Sequence, residues 1–298
     1  MNIAFFGSAL IAATILDHVH REHPVSLVVS QPDKPVGREQ IPTPTAVSSW
    51  AIEHVIPYTT EASVDVIDKL LTQHAIDIAV VVAYGHIIKK QTLEIPRYGF
   101  INVHYSLLPK YRGASPVQFA LLNGEHETGV TIMQMDEALD HGPILARGKV
   151  TISTEDTTIS LLEKLTAVSI PLLTNALTGF TQHHPVTKTQ DHSTASSTRR
   201  LTKQDGFIKI ETLTKAVQNK PLEQHDIPDI IKEQQCNNVT IHNFIRALHP
   251  WPGVWTINKN GKRIKIISSL IDDGILRITR HQEEGKTPVR TPRDYFTT

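Results

Sequence analysis

The first third of the chain alternates short apolar runs with longer amphipathic segments. Ile3–Phe6 is an apolar run, Gly7-Ser8 is a turn, and Ala9–His20 is rich in alanine, isoleucine and leucine, as in an amphipathic helix. Val25–Val29 is a second apolar run. Ile78–Ala83 is continuously apolar, as expected of a strand that helices cover on both faces of a sheet. This order predicts an α/β domain with Rossmann-like topology.

The middle of the chain carries the pattern on which the functional prediction depends. Gly99–Ile101 indicates the end of a short buried strand, and Asn102 and His104 follow at once. Side chains two positions apart in a strand point to the same face, so this amide and imidazole are predicted to face one pocket. The C-terminal ends of strands are where open α/β folds place their active sites.

A carboxylate is predicted to approach this pocket from farther along the chain. Thr128–Asp136 and Ile144–Ser153 are strand-like runs, and Gly142-Pro143 indicates a chain reversal between them. Asp140 lies in that connecting loop. A long amphipathic helix, Thr157–Leu177, closes the predicted first domain.

The last third of the chain has a different pattern, which predicts a second domain. Thr181–Arg200 is polar and rich in Ser, Thr and His, which indicates a linker. From Leu201 short strands surround one helix, Val239–Leu248, and Lys259-Asn260-Gly261 is typical of a hairpin turn. The strand candidates are Gly206–Ile210, Trp255–Ile257, Arg263–Ile267 and Gly274–Thr279. The pattern predicts a small, OB-like β-barrel, with domain bounds of 1–180, 181–200 for the linker, and 201–298.

The formal net charge is zero, with 30 basic and 30 acidic side chains, but the charges are unevenly distributed. From Arg199 to the end there are 17 Lys and Arg against 11 Asp and Glu, a balance of +6. The first 198 residues therefore hold 13 against 19, a balance of −6. A basic back half suggests a polyanionic partner, and the alternative is a merely solvated basic surface.

Cysteine content and apolar run lengths restrict the cellular compartment. The single cysteine, Cys236, excludes an internal disulfide and fits a reducing environment. No signal peptide is recognisable before the first strand. The longest apolar run, Ile78–Ala83, is far short of the ~20 residues that a membrane helix needs. A soluble, cytoplasmic protein is expected.

A proline-containing segment, Gln31–Pro44, follows the second predicted strand. Its four prolines fix φ and remove backbone donors, which excludes a helix or a central strand. Long loops inside compact α/β domains tend to be functional, and this one carries Lys34 and Arg38; the alternative is a solvated surface loop.

Gly7 lacks the further glycines of a dinucleotide-binding fingerprint, so a nicotinamide cofactor is not expected.

Asn102, His104 and Asp140 form the candidate catalytic set. An amide donates to an oxygen that becomes negative, a histidine polarises a carbonyl or moves protons, and a carboxylate orients that histidine or accepts a proton from an amine. Together they suit acyl transfer through a tetrahedral oxyanion. The alternative is that all three are hydrogen-bonded structural or turn residues. Despite 16 histidines there is no HExxH and no CxxC motif, so no metal site is predicted.

Two longer motifs surround this set. The segment NVHYSLLPKYRGASPVQ, which begins at Asn102, and the later GVTIMQMDEALDHGPIL together resemble the folate-dependent formyltransferases. Gln31–Pro44 and the segment FIRALHPWPGVWT, Phe244–Thr256, are similar to the branch of that family that acts on methionyl-tRNA. The resemblance extends from the N-terminus to His281–Pro288 and implies a formyltransferase domain followed by a C-terminal barrel.

The resemblance implies transfer of a formyl group from 10-formyltetrahydrofolate to the α-amino group of initiator methionyl-tRNA. A monomer without a metal is expected. Asn102, His104 and Asp140 match the catalytic residues of the family. The implied folate contacts are Ser106, Leu107, Leu108 and Pro109 of the SLLP turn, with Ala83, Tyr84 and Gly85 of the AYG loop. The implied tRNA contacts are Arg38, with Lys34, and the C-terminal barrel.

Several positions depart from the family pattern. No lysine follows Arg38, Ala138 and His141 replace the usual residues around the aspartate, and His86 and Lys89 follow the AYG loop. Thr212–Asn238 is predicted to be an insertion, with no assigned role. Three alternatives remain open: a formyltransferase acting on a nucleotide-sugar amine or glycinamide ribonucleotide, a formyltetrahydrofolate hydrolase, and a non-catalytic RNA-binding relative.

Overall fold

The computed structural model describes residues 1–36, 39–182, 185–293 and 295–296. The chain forms two compact units, and neither is one continuous stretch of sequence. The first comprises Met1–Ala114, Thr128–Val150 and Glu163–Ser197, and the second comprises the described parts of Ser115–Glu127, Thr151–Leu162 and Thr198–Thr298. The predicted domain bounds at residues 180 and 200 stay a prediction.

The described residues form strands, α-helices and short 3₁₀ turns. The strands are β1 (Ile3–Gly7), β2 (Val25–Val29), β3 (Lys34–Val36), β4 (Ile41–Thr43), β5 (Tyr58–Thr59), β6 (Ile78–Val82), β7 (Phe100–His104), β8 (Arg112–Gly113), β9 (Glu127–Gln134), β10 (Ile144–Thr151), β11 (Ser197–Thr198), β12 (Val254–Ile257), β13 (Arg263–Asp272), β14 (Ile275–Glu283) and β15 (Val289–Arg290). The α-helices are α1 (Leu10–Glu22), α2 (Ala46–Glu53), α3 (Val64–Gln73), α4 (Lys90–Leu93), α5 (Pro116–Leu122), α6 (Thr158–Gln182), α7 (Ile210–Val217) and α8 (Asn238–Leu248). The 3₁₀ turns are His192–Thr194, Lys203–Gly206 and Asp229–Ile231.

The largest sheet has seven strands in the order β10-β9-β7-β6-β1-β2-β5. From β7 to β5 neighbouring strands are parallel, whereas β9 runs antiparallel to β7. Phe5, Phe6 and Phe100 are fully buried in it. Strands covered on both faces need continuous apolar runs, which explains the composition of β1 and β6. The predicted Rossmann-like α/β topology is confirmed.

The second unit contains an antiparallel sheet of β12, β13, β14 and β15 in sequential order. This arrangement is consistent with the predicted small, barrel-like domain. The turn between β12 and β13 is the predicted one, and Gly261 adopts the left-handed conformation there, with φ of 74°. Helix α8 agrees with the predicted helix, and its Phe244 and Leu248 are fully buried.

Two predictions for the last third of the chain are wrong. Gly206–Ile210 is not a strand, because Lys203–Gly206 forms a 3₁₀ turn and Ile210 begins α7. A Cβ at Gly206 would lie 1.9 Å from the carbonyl oxygen of Gly253, so this glycine permits a close crossing of two backbone segments. Because α7 is a helix, the prediction of a single helix after Leu201 is also wrong.

The segment Gln31–Pro44 contains a small ribbon that sequence did not predict. Lys34–Val36 and Ile41–Thr43 pair antiparallel, outside the main sheet, which agrees with the exclusion of a helix and a central strand. Arg38, predicted to contact the substrate, lies outside the described residues. Across the described ranges, none of the helices combines the length and apolarity that crossing a bilayer would require.

Candidate active site

Strand β7 carries two of the predicted catalytic side chains. It lies between β6 and β9, where Asn102 is opposite Met133 and His104 is opposite Thr131. Alternation along the strand directs Asn102 and His104 to the same face of the sheet. His104 is only 5% exposed, whereas Asn102 is half-buried. The strand therefore presents a buried imidazole beside a more accessible amide.

Asp140 reaches both of these side chains from the loop between β9 and β10. Its backbone is left-handed, with φ of 48°. Oδ1 accepts a long hydrogen bond from Nδ2 of Asn102 at 3.4 Å, and Oδ2 accepts the N–H of Gly113 at 2.7 Å. Oδ2 also lies 3.6 Å from Nδ1 of His104, and the carboxylate side chain is 10% exposed. The structure thus brings the three predicted residues together around one carboxylate.

The other ring nitrogen of His104 has a backbone partner. Nε2 lies 2.9 Å from the carbonyl oxygen of Tyr111, which only accepts hydrogen bonds. Nε2 therefore carries the hydrogen, and Nδ1 is the ring nitrogen that faces Asp140. Tyr111 adopts a left-handed backbone, with φ of 60°, and this conformation aims its carbonyl at the ring.

The SLLP turn follows directly after β7 and is held by its own polar groups. Oγ1 of Thr131 donates to the carbonyl of Ser106 at 2.7 Å and accepts the N–H of Leu108 at 3.1 Å. Oγ of Ser106 donates to the carbonyl of Lys110 at 2.6 Å, and the peptide bond before Pro109 is cis. The side chains of Ser106 and Leu108 are buried, and the other two residues of the turn are half-buried. The turn therefore forms a rigid wall, and its side chains do not extend far from it.

The AYG loop after β6 is joined to the segment that follows β2. Nε2 of Gln31 donates to the carbonyl of Tyr84 at 2.6 Å, and Nζ of Lys34 donates to Oε1 of Gln31 at 2.6 Å. Ala83 and Gly85 are both left-handed, with φ of 47° and 80°. A side chain on Gly85 would collide with Nε2 of Gln31, since a Cβ there would lie 2.5 Å away.

The Tyr84 hydroxyl stands out within this loop. Burial raises the pKa of the hydroxyl above its ordinary value. Within the described part of the chain the hydroxyl has no hydrogen-bond partner. A buried polar atom without a partner is costly, so a ligand atom that bonded to it would gain binding energy.

Sequence patterns did not identify a further residue beside Asp140. Nε2 of Gln190 donates to the carbonyls of Asp140 and Gly142 at 2.9 and 2.8 Å. Oε1 of Gln190 accepts from Nη2 of Arg112 at 2.7 Å, and the same nitrogen donates to Nδ1 of His192 at 2.8 Å. Gln190 lies in the polar segment that was predicted to be a linker. No local signal distinguishes a buried glutamine from its exposed polar neighbours.

His141 is one of the departures from the family pattern. Its ring contacts the carboxylate of Asp136 and not that of the catalytic candidate Asp140. Its Nδ1 lies 2.7 Å from Oδ2 of Asp136. Its ring stacks on that of His192, with centroids 4.0 Å apart and an angle of 3° between the planes. Among the described residues, no group of three or more His, Cys, Asp and Glu side chains is placed to hold a metal ion.

The sequence of the chain matches a known family over the residues that include Asn102, His104 and Asp140. The family model described as formyl transferase matches residues 1–177, and that of the formyl transferase C-terminal domain matches residues 235–274. The chain belongs to the formyl transferase family. The fold and the clustered residues above are therefore those of a family member.

Several relatives within the family are similar over most of their length. A methionyl-tRNA formyltransferase of Thermus thermophilus is 36% identical over 269 residues, which covers 90% of this chain and 79% of the relative. One of Idiomarina loihiensis is 37% identical over 299 residues, covering 96% and 93%. One of Caldicellulosiruptor saccharolyticus is 39% identical over 271 residues, covering 89% and 78%.

Two solved structures of proteins that are named formyltransferases share the fold. The N-formyltransferase from Helicobacter canadensis, in complex with folinic acid and dTDP-3-aminofucose, aligns with a TM-score of 0.64 at 20% identity, covering 91% of this chain and 87% of that one. The sugar 3N-formyl transferase WlaRD, in the presence of dTDP and 5-N-formyl-THF, aligns with a TM-score of 0.66 at 19% identity, covering 96% and 99%.

Proposed function

We propose that this chain transfers the formyl group of 10-formyltetrahydrofolate to the α-amino group of methionyl-tRNA in the cytoplasm. The observation that carries the proposal is the meeting of Asn102, His104 and Asp140 at the end of β7. Relatives of 36–39% identity that bear the methionyl-tRNA formyltransferase name support the choice of acceptor. One chain contains all three residues, so we propose that a monomer is active.

The residues present fit a folate-derived donor. The SLLP turn is a rigid, largely apolar wall beside the three side chains, and the buried Tyr84 hydroxyl has no partner within the described residues. A pterin ring presents both an apolar face and polar edges, so such surroundings suit it. Leu107, Pro109 and the AYG loop would hold this donor, which supplies the formyl carbon when bound.

Asn102 and His104 would act on the formyl oxygen. The amide of Asn102 donates to that oxygen as it becomes negative during attack by the amine. His104, held through Nε2 by the Tyr111 carbonyl, presents Nδ1 to the same region and donates from it when protonated. Both donors are in place before reaction, so little reorganisation is needed in the transition state.

Asp140 would act first as the proton acceptor and then as the proton donor of the transfer. A new bond forms between the amine nitrogen and the formyl carbon, and the bond from that carbon to the folate nitrogen breaks. Asp140 accepts the proton that the amine loses and returns it to the leaving nitrogen. Its Oδ2 lies 3.6 Å from Nδ1 of His104, so the carboxylate also orients the imidazole.

The second unit carries features that suit the tRNA. Arg280 and Arg290 are directly opposite each other on β14 and β15, and both are exposed. Like charges in directly opposite positions destabilise a sheet, so a polyanion that lies over them would relieve the repulsion. Both arginines line a cavity of about 530 Å³ together with Arg277 and Arg293. These cations belong to the part of the chain with the +6 charge balance.

The test is a formylation assay with purified protein, 10-formyltetrahydrofolate and methionyl-tRNA. Formylmethionyl-tRNA is the expected product, and Asn102→Ala is expected to lower kcat by about 100- to 1,000-fold, as for the loss of one oxyanion donor. A nucleotide-sugar amine and glycinamide ribonucleotide serve as alternative acceptors. Formylation of one of these in place of methionyl-tRNA would contradict the proposal, as would near-normal turnover by Asn102→Ala.

A further inference from the structure

Asp140 holds its carboxylate in place from a strained backbone position. A φ of 48° is left-handed, which is unfavourable for residues other than glycine, although aspartate tolerates it better than most. The side-chain end is anchored by the N–H of Gly113. A strained conformation persists only when its surroundings hold it, so the main-chain end of Asp140 needs an anchor of its own.

Gln190 is the group that provides this second anchor. Its Nε2 donates one hydrogen to the carbonyl of Asp140 and the other to the carbonyl of Gly142, on the two sides of His141. Its Oε1 accepts from Arg112, so both ends of the amide are occupied and its orientation is determined. The residue is only 4% exposed, which protects these bonds from competition with water.

The backbone around Gly142 leaves little room for the loop to move. A Cβ at Gly142 would lie 2.0 Å from the carbonyl oxygen of Gln134, so the loop passes directly against β9. The Gln190 amide and this close approach together hold the residues that follow Asp140. The conformation of the loop is thus maintained by a residue 50 positions away in sequence.

We propose that Gln190 is a positioning residue, which acts on the reaction through Asp140. This proposal rests on the proposed role of Asn102, His104 and Asp140 in formyl transfer. Removal of the two amide hydrogens leaves the carbonyls of Asp140 and Gly142 without this donor, and the loop relaxes from the left-handed conformation. The carboxylate then moves away from Asn102 and His104, whereas the surfaces that bind folate and tRNA are unaltered.

The test compares Gln190→Leu with Gln190→Glu and with Thr189→Ala, a change to the exposed neighbour on the same segment. Leucine removes all the bonds, whereas glutamate retains an acceptor for Arg112 and removes only the donors. We expect both Gln190 variants to lower kcat by about 10- to 100-fold, since a displacement of about 1 Å from reactive geometry costs that much. The KM values for folate and methionyl-tRNA are expected to stay within about 2-fold, because the contacts that bind them persist. Thr189→Ala is expected to match the wild type.

A double-mutant cycle separates positioning from a merely structural role. If Gln190 acts through Asp140, Gln190→Glu lowers kcat in the wild type but has little further effect in an Asp140→Ala background. Thermal unfolding of each variant shows whether it is folded at the assay temperature. Multiplicative losses in the cycle, a loss confined to KM, or normal turnover by folded Gln190→Glu would each overturn the positioning role. Absence of formyl transfer to methionyl-tRNA by the wild type would overturn the proposed function instead.

Discussion

Nδ1 of His104 lies 3.6 Å from Oδ2 of Asp140, while Nε2 of the same ring is held 2.9 Å from the carbonyl of Tyr111. The second contact prevents the ring from rotating toward or away from the carboxylate. A closing movement of less than 1 Å would turn the first contact into a charge-assisted hydrogen bond. Hydrogen bonds in catalytic sites are often long before substrate binds, so this spacing is suitable for a reactive pair.

Asp140→Asn is expected to reduce kcat by about 100-fold or more, because the amide keeps the shape of the side chain but cannot accept the amine proton. Steady-state formylation kinetics at saturating folate would measure this loss. Asp136→Asn is the matched control, since Asp136 lies in the same loop but contacts His141 and Ala138. Comparable losses in the two variants would contradict a special role for Asp140.

Arg280→Ala and Arg290→Ala are each expected to weaken binding of methionyl-tRNA and to reduce the slope of log affinity against log salt concentration by about 1. The physical reason is that each exposed guanidinium releases about one counterion when it meets a phosphate. Filter binding across a salt series would measure the slopes. Lys286→Ala provides the control, because Nζ of Lys286 is already paired with Glu283 at 2.6 Å. Unchanged slopes in both arginine variants would exclude this face from tRNA binding.

The stability of the second unit is expected to fall as pH decreases below 6.5, partly because of His242. Burial lowers the pKa of His242 below the ordinary 6.5, with a smaller lowering from nearby Arg246 and opposing contributions from the Thr154 carbonyl and Glu155. The unfolded chain therefore binds a proton first, and unfolding becomes more favourable between pH 6.5 and the lower pKa of the folded state.

Urea unfolding of wild type and His242→Gln between neutral and mildly acidic pH would measure this contribution. The variant is expected to lose less stability on acidification than the wild type, even if its stability at neutral pH is lower. His86→Gln serves as the control, because this histidine is exposed. An identical pH dependence in wild type and His242→Gln would show that the buried imidazole does not contribute.

Asp205→Asn is expected to reduce the free energy of unfolding by about 1–2 kcal/mol at neutral pH. This figure includes a reduction for solvent screening, because the partner Arg199 is half-exposed. The hydrogen bonds from Arg199 lower the pKa of Asp205 from 3.8 to about 2. The stabilisation is therefore complete above pH 3.8 and is lost as pH falls toward 2. Denaturant titrations at several pH values would test this, and a penalty that stayed constant down to pH 2 would contradict it.

Strand periodicity was sufficient to predict part of the candidate active site. A period of two put Asn102 and His104 on one face, and the apolar run before them placed both at a strand end. The approach of Asp140 depends on a left-handed backbone that local sequence does not specify for aspartate. Gln190 could not be predicted as part of the site, because it is identified only by its hydrogen bonds to residues about 50 positions away in sequence.

The errors in the last third of the chain have a related cause. Gly206–Ile210 has the β-branched and aromatic composition of a strand, but within it only Phe207 forms a β-bridge, to Trp255, and Gly206 lies close to the Gly253 carbonyl. Short apolar runs are ambiguous between strand and helix when length and flanking residues do not separate them. Val239–Leu248 is long enough for the helical pattern to repeat, and it agrees with α8, whereas the short run Arg263–Ile267 predicted only the first half of β13.

The left-handed Tyr111 and its near neighbour Gly113 affect how far His104 and Asp140 can move independently of each other. One supplies the carbonyl that holds the imidazole of His104, and the other supplies the N–H that holds the carboxylate of Asp140. A single three-residue stretch therefore anchors both side chains, and a displacement of that stretch would move the two anchors together. The position of Asp140 depends in addition on the contacts of its own loop with Gln190, so the spacing of the two side chains needs both sets of anchors.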